Sequence, residues 1–224
     1  AGKTILDWQI NTLNNNNLTD ITVVTGYASK KMKAEGIALR ENKNYKKGSE
    51  LNSLIDAQEK MTSGFIMVYS DILIEDHILS KLITCQEDIV LVADNTMQYH
   101  APEINRVQDL IISKNKHQLT RRKISFVCEN IISKIGSKLN SETATHEFIG
   151  LAKLTKTGAE QFLQTYEDCA KNYQGKFQEA NDISRLKFTD LIQEMIDRGY
   201  AIHFLEIHKG WLEIHSKEDI ELAN

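Results

Sequence analysis

Residues 4–13 predict a helix, where Ile5, Trp8, Gln9, Thr12 and Leu13 follow helical spacing and Thr4 stands as a candidate N-cap. The four asparagines 14–17 read as the polar loop that ends this helix. Ile21-Thr22-Val23-Val24-Thr25, stopped by Gly26, predicts a buried strand. A short helix over 28–35 and a strand over 36–39 follow, then a polar loop over 42–48 and a helix over 50–61. Gly64 to Tyr69 is an apolar strand with Ser70-Asp71 at its end; residues 75–84 read as helix and 88–93 as a third apolar strand. Strand and helix alternate, which predicts a three-layer, Rossmann-like α/β architecture with a mixed, mostly parallel sheet.

The pattern is less regular over 104–136, where Ile111-Ile112, Ile124 to Val127 and Ile131-Ile132 predict short strands or hairpins. Beyond it come a strand over 148–154, helices over 157–171 and 188–198, a strand over 201–207 and a closing helix from Lys217. Gly199 sits where a helix C-cap is expected. One proline in 224 residues argues against a rigid linker, and the whole chain, 1–224, is expected to form a single domain.

Composition narrows the picture by exclusion. Hydrophobic residues make up 41% and charged residues 26%, enough apolar material for a core. No apolar run approaches the ~20 residues of a membrane span, so a soluble, cytoplasmic protein is the expectation. The net charge of −4 gives no basic face for nucleic acid, and Arg121, Arg122 and Lys123 are too small a cluster to supply one. Cys85, Cys128 and Cys169 are odd in number and widely spaced, which fits neither a disulfide framework nor a zinc site.

Candidate chemistry centres on Asp71. Ligands of open α/β sheets gather at the C-terminal ends of parallel strands, and an acid there, after a run of apolar residues, needs solvent or a partner. Magnesium takes one or two carboxylates and completes its shell with phosphate and water. Asp71 therefore suits a metal anchor; capping the next turn is its other reading. Glu213 and His215 lie two apart in an extended segment and face the same way, and Asp219 follows as a first-turn acid. Any of them could complete the set.

Five segments in order carry a resemblance. They are residues 2–27, ending Val23-Val24-Thr25-Gly26-Tyr27; residues 42–54, ending Leu51-Asn52-Ser53-Leu54; Val68-Tyr69-Ser70-Asp71-Ile72-Leu73; Glu147-Phe148-Ile149-Gly150-Leu151; and Trp211-Leu212-Glu213-Ile214. Together they resemble the small-molecule nucleotidyltransferase superfamily, above all the cytidylyltransferases for phosphocholine and for phosphonates such as 2-aminoethylphosphonate. The latter are often fused to, or encoded with, phosphoenolpyruvate mutase. The resemblance implies a Mg2+-dependent enzyme that joins CTP to a phosphate or phosphonate and releases pyrophosphate. It implies that Asp71 is the metal-binding and catalytic acid, with Glu213 or His215 as the second ligand. Relatives often carry Asp where this chain has His215, which favours Glu213. It further implies that Asn52, Ser53, Gly26 and Tyr27 line the nucleotide pocket, and Glu147 and Trp211 the acceptor pocket. A cationic acceptor would also suit Tyr99. Sugar-1-phosphate nucleotidyl transfer, on CTP or another NTP, and a non-catalytic nucleotide-binding relative are the alternatives.

Members of that superfamily open with a strand and a glycine-rich phosphate-binding loop. This sequence starts at Ala1-Gly2-Lys3, at the position that follows the loop in relatives. The expectation is a fragment, or a domain completed by another chain, whose sheet carries two unpaired strand edges.

Overall fold

Thr4 accepts from the Asp7 backbone N–H at 3.1 Å while the Asp7 carboxylate takes the Thr4 N–H at 2.8 Å, and this capping box starts α1 (Ile5–Asn15). The helix runs into the asparagine tract and ends at Asn16, whose N–H bonds back to Leu13 and Asn14. The computed structural model describes residues 2–32, 36–96, 106–114, 130–216 and 219. Arg121–Lys123, Cys128, Tyr99, the 124–127 burst and all of the closing helix except Asp219 lie outside them.

β1 (Thr22–Thr25) pairs in parallel with β2 (Ala38–Glu41). Only Thr25 of β1 is buried, so the strand is less enclosed than its β-branched composition predicts; its other edge faces an open slot described below. The short helix expected over 28–35 is, in its described part, a single 3-10 turn, Ser29–Lys31, entered through Ala28 at φ 54°. That polar stretch has no apolar face to bury, so nothing rewards a longer helix. The helix expected over 50–61 breaks after α2 (Glu50–Ile55), and a 3-10 turn at Gln58–Lys60 leads into β3 (Gly64–Val68).

β4 (Ile72–Ile74) leads to α3 (Asp76–Thr84) and then β5 (Ile89–Asp94), a strand buried at every position. The middle of the chain contributes an antiparallel pair, β6 (Leu110–Ser113) and β7 (Ile132–Gly136). β8 (His146–Thr155) is the long central strand; α4 (Lys156–Asn172), α5 (Phe188–Asp197), β9 (His203–Ile207) and β10 (Trp211–Glu213) complete the described elements.

The sheet is mixed, as expected: in its six-stranded part β3, β5, β6 and β9 run one way and β7 and β8 the other, yet most ladders are antiparallel. Among the described residues the parallel ladders are β1 with β2 and β5 with β9; the other five ladders are antiparallel. The cause is β8. β5 runs along one edge of it, while β3 and β6 share the other edge on either side of Gly150. β3, β5 and β9 point the same way, but the reversed β8 between β3 and β5 turns both contacts antiparallel.

The layers follow from the pleat. Leu91 and Ala93 of β5 face α4 and α5, with Phe148, Ala152, Phe162 and Phe188 in the same cluster. Val90 and Val92 face α3, with Ile72, Ile78, Leu82 and Leu151. α1 packs beside α3 and over β4. Two helical layers thus enclose a sheet. No helix among the described residues is long and apolar enough to cross a membrane.

Candidate functional site

Asp71 sits in the sharp connection between β3 and β4, where three hydrogen bonds define its position. Gln9 of α1 donates its carboxamide to the carbonyls of Tyr69 at 2.7 Å and Ile72 at 2.8 Å, straddling the acid. On the other side the Ile214 N–H donates to the Asp71 carbonyl at 2.7 Å. β10 pairs with β4, placing Glu213 opposite Ile72. The chain ends of two strands therefore meet at one point, and Asp71, Glu213 and His215 offer donor atoms all within 4.8 Å of one another.

The carboxylates differ in their surroundings. Asp71 Oδ1 is buried and has no hydrogen-bond partner among the described residues. Burial pushes its pKa up, with the Glu213 charge adding to this and His215 and Arg106 opposing it. Glu213 is held by Arg106, whose Nε donates to Oε2 at 2.6 Å; its Oε1 lies 3.0 Å from His215 Nε2. Arg106 also donates through Nη2 to Glu147 Oε1 at 2.8 Å, and Gln108 donates to Glu147 Oε2 at 2.8 Å. Burial raises the Glu147 pKa to about 7 even with Arg106 beside it. The Arg106 guanidinium lies 5.2 Å from the centroid of the Trp211 ring, and the Trp211 indole N–H donates to Asp94 at 2.6 Å.

An open slot of about 930 Å³ leads away from this cluster. β1 and β3 form its two sides and α1 contributes Leu6, Ile10 and Leu13. At one end Asp20 of the β1 approach pairs with Lys60 before β3 at 3.6 Å; at the other lie Asp71, Asp109 and Glu213. Among the described residues β1 is laddered only to β2, and β3 only to β8, so each strand turns a free edge toward the slot. Three slot-lining residues, Tyr69, Asp71 and Asp109, carry a buried oxygen with no partner there. A buried polar atom without a partner is costly, and three at one cavity fit a polar or ionic ligand.

The structure thus brings together Asp71, Glu213, His215, Glu147 and Trp211. Ser53 lines the slot and accepts from Asn42 at 3.0 Å. Asn52 and Gly26–Tyr27 stand apart from the cluster. The Asn52 carboxamide oxygen accepts from the Ser49 N–H at 2.8 Å in the cap of α2, Gly26 packs on Tyr45, and Tyr27 is exposed. Arg106, Gln108, Asp109 and Gln9 escaped the sequence reading. Arg106 and Gln108 are two apart leading into β6, which pairs Leu110 with Glu147, and that alternation was the available signal.

No family model and no curated protein matches this sequence. Solved structures do. The inositol-1-phosphate CTP transferase of T. maritima matches with a TM-score of 0.69 at 16% identity, over 97% of this chain and 79% of that one. The CTP:phosphocholine cytidylyltransferase of Streptococcus pneumoniae matches at 0.66 and 13%, over 99% and 84%. An apo UDP-glucose pyrophosphorylase matches at 0.65 and 12%, over 99% and 85%. The chain has the fold of these nucleotidyltransferases.

Proposed function

We propose that this chain is the catalytic domain of a metal-dependent nucleotidyltransferase of the cytidylyltransferase type, acting in the cytoplasm. It transfers CMP from CTP to a small phosphate or phosphonate of the phosphocholine or 2-aminoethylphosphonate kind. The single observation that carries this reading is the donor cluster of Asp71, Glu213 and His215 at the end of an open slot, in a chain with the fold of cytidylyltransferases.

The residues fit a divalent cation: Asp71 has a buried oxygen with no partner among the described residues, and a second carboxylate and an imidazole converge on it. Asp71, Glu213 and His215 would hold the ion. When bound it supplies charge neutralisation for phosphate oxygens and fixes their orientation. The acceptor oxyanion attacks the α-phosphorus of CTP, a new P–O bond forms, and the bond to pyrophosphate breaks. The rest of the chain positions and shields. Gln9 and Ile214 hold the Asp71 turn. Arg106 bridges Glu213 and Glu147 and so holds the two side chains in place. Trp211, half-buried beside the cluster, offers an aromatic surface for a cationic acceptor head, and the buried Glu147 stands behind it through Arg106.

One observation favours a second acceptor class. Arg106 already covers a face of Trp211, and a guanidinium there suits an anionic or hydroxyl-rich acceptor, as in sugar-1-phosphate transfer. Pyrophosphate release decides between them, measured with magnesium, CTP or UTP, and phosphocholine, 2-aminoethylphosphonate or glucose 1-phosphate. Turnover with CTP and an aminated acceptor supports the first reading. Turnover only with a sugar phosphate supports the second, and silence from the folded protein overturns the enzyme reading.

A further inference from the structure

His215 changes what kind of ion this centre prefers, and the inference rests on the metal-binding reading above. We propose that the site selects the transition ions Mn2+ and Co2+ over Mg2+, with His215 as the residue that sets the preference.

The argument starts from the donor set. Two carboxylates alone would make an oxygen site, which suits magnesium. Here the third converging donor is an imidazole nitrogen, Nε2 of His215, 3.0 Å from Glu213 Oε1. Magnesium is hard, needs near-ideal octahedral oxygen coordination and loses water reluctantly; imidazole suits later first-row ions such as Co2+ and Zn2+, and Mn2+, which dehydrates more easily than magnesium, tolerates a nitrogen donor beside its carboxylates. Replacing one oxygen donor by nitrogen therefore weakens magnesium binding relative to the transition ions.

The backbone carries the ring to this position independently of the Glu213 contact. The His215 and Ser216 N–H groups both donate to Asp219 Oδ2, at 2.8 and 2.7 Å, and the Asp219 N–H returns to Ser216 Oγ at 3.2 Å. One residue earlier, the Ile214 N–H is tied to the Asp71 carbonyl. The main chain on both sides of the ring is thus held by the Asp219 carboxylate and the Asp71 carbonyl, neither of which is a ligating atom of the set. Arg106 occupies Glu213 Oε2, which leaves Oε1 facing His215, and Asp71 offers a buried Oδ1 that has no hydrogen-bond partner among the described residues. One nitrogen and two carboxylate oxygens, with the rest of the shell open to water or phosphate, is a set that Mn2+ and Co2+ accept readily.

The test measures binding, not turnover. Wild-type protein, His215→Asp and Asp71→Asn are titrated with Mn2+ by electron paramagnetic resonance, and Mg2+ and Co2+ affinities are obtained by competition. Pulsed resonance reads nitrogen coupling to the bound Mn2+, and circular dichroism checks folding. His215 is half exposed, so the His215→Asp chain is expected to fold. The expected result is nitrogen coupling in wild type that is lost in His215→Asp, with the Mn2+-to-Mg2+ affinity ratio falling at least about five-fold in that variant. Mn2+ bound through Asp71, with no nitrogen coupling and an unchanged ratio, overturns the role of His215 and leaves the metal centre standing. No ion bound by wild type overturns the metal reading itself and this inference with it.

Discussion

The Ile214 N–H donates to the Asp71 carbonyl at 2.7 Å, and that bond fixes how far Glu213 and His215 can stand from Asp71. Glu213 precedes Ile214 and His215 follows it, so their shared side of the extended segment is registered on the Asp71 turn. Gln9 holds the same turn from the opposite side. The site is therefore built on two strand ends and one helix rather than on a long loop, the arrangement that best preserves donor geometry.

Arg106 is the ionic keystone beside it. Its side chain is 16% exposed and links Glu147 at 2.8 Å with Glu213 at 2.6 Å. Arg106→Met should leave two crowded carboxylates without compensation and destabilise the fold by about 3–5 kcal/mol near pH 8. The loss should shrink at pH 5. With its pKa already raised to about 7, and higher without the guanidinium, Glu147 binds a proton there and the repulsion falls. Urea unfolding at the two pH values checks this; an equal loss at both would show that packing, not charge, accounts for the effect.

Asp109 gives a pH dependence of its own. Burial raises its pKa from 3.8 to about 6, with Lys187 opposing the rise. The folded-state value is above the unfolded one, so the carboxyl costs nothing where both states are protonated, below about pH 4. The cost grows as pH rises through that window and is complete above about pH 6. A shift of this size corresponds to about 3 kcal/mol. Asp109→Asn should therefore raise thermal stability at pH 8 and leave it nearly unchanged at pH 3.5, as calorimetry across that range would record. A gain that is constant with pH would contradict the assignment.

Gly150 tests the joint in β8 where β3 gives way to β6. Its φ of +82° and a Cβ position 2.5 Å from the Tyr69 ring leave no room for a side chain. The Gly150 carbonyl also accepts the Tyr69 N–H at 2.9 Å, just before the Asp71 turn. Gly150→Ala should cost about 3 kcal/mol, from backbone strain and displacement of the ring. In a chain of this size that is a fall of roughly 6–12 °C in melting temperature. A melting curve that superimposes on wild type would show that the joint is pliable.

Much of this organisation was legible in the chain itself, and the misses have physical causes. Asp71 stood out because an acid after an apolar strand is costly, and Glu213 and His215 because side chains two apart in a strand share a face. Neither signal depends on distant contacts. The direction of β8 does: nothing in His146 to Thr155 says that it will run against both β3 and β5, so the antiparallel ladders on its two edges could not be read from the alternation of elements. β1 reads as a buried strand because Val23 and Val24 are apolar, yet they line the slot. Arg106 meets Glu147 across 41 residues of chain and Glu213 across 107, and the alternation of Arg106 and Gln108 marks a shared face without saying which acids it meets.

The central claim is that Asp71 holds the ion and works in nucleotidyl transfer. The most direct test is CTP-dependent pyrophosphate release by Asp71→Asn beside wild type, with the acceptor that supports turnover and with folding verified by circular dichroism. The account predicts a loss of at least about a hundred-fold with the melting temperature kept or raised, since asparagine removes a buried charge whose oxygen lacks a partner. Undiminished release by the folded variant would contradict it and remove Asp71 from the chemistry.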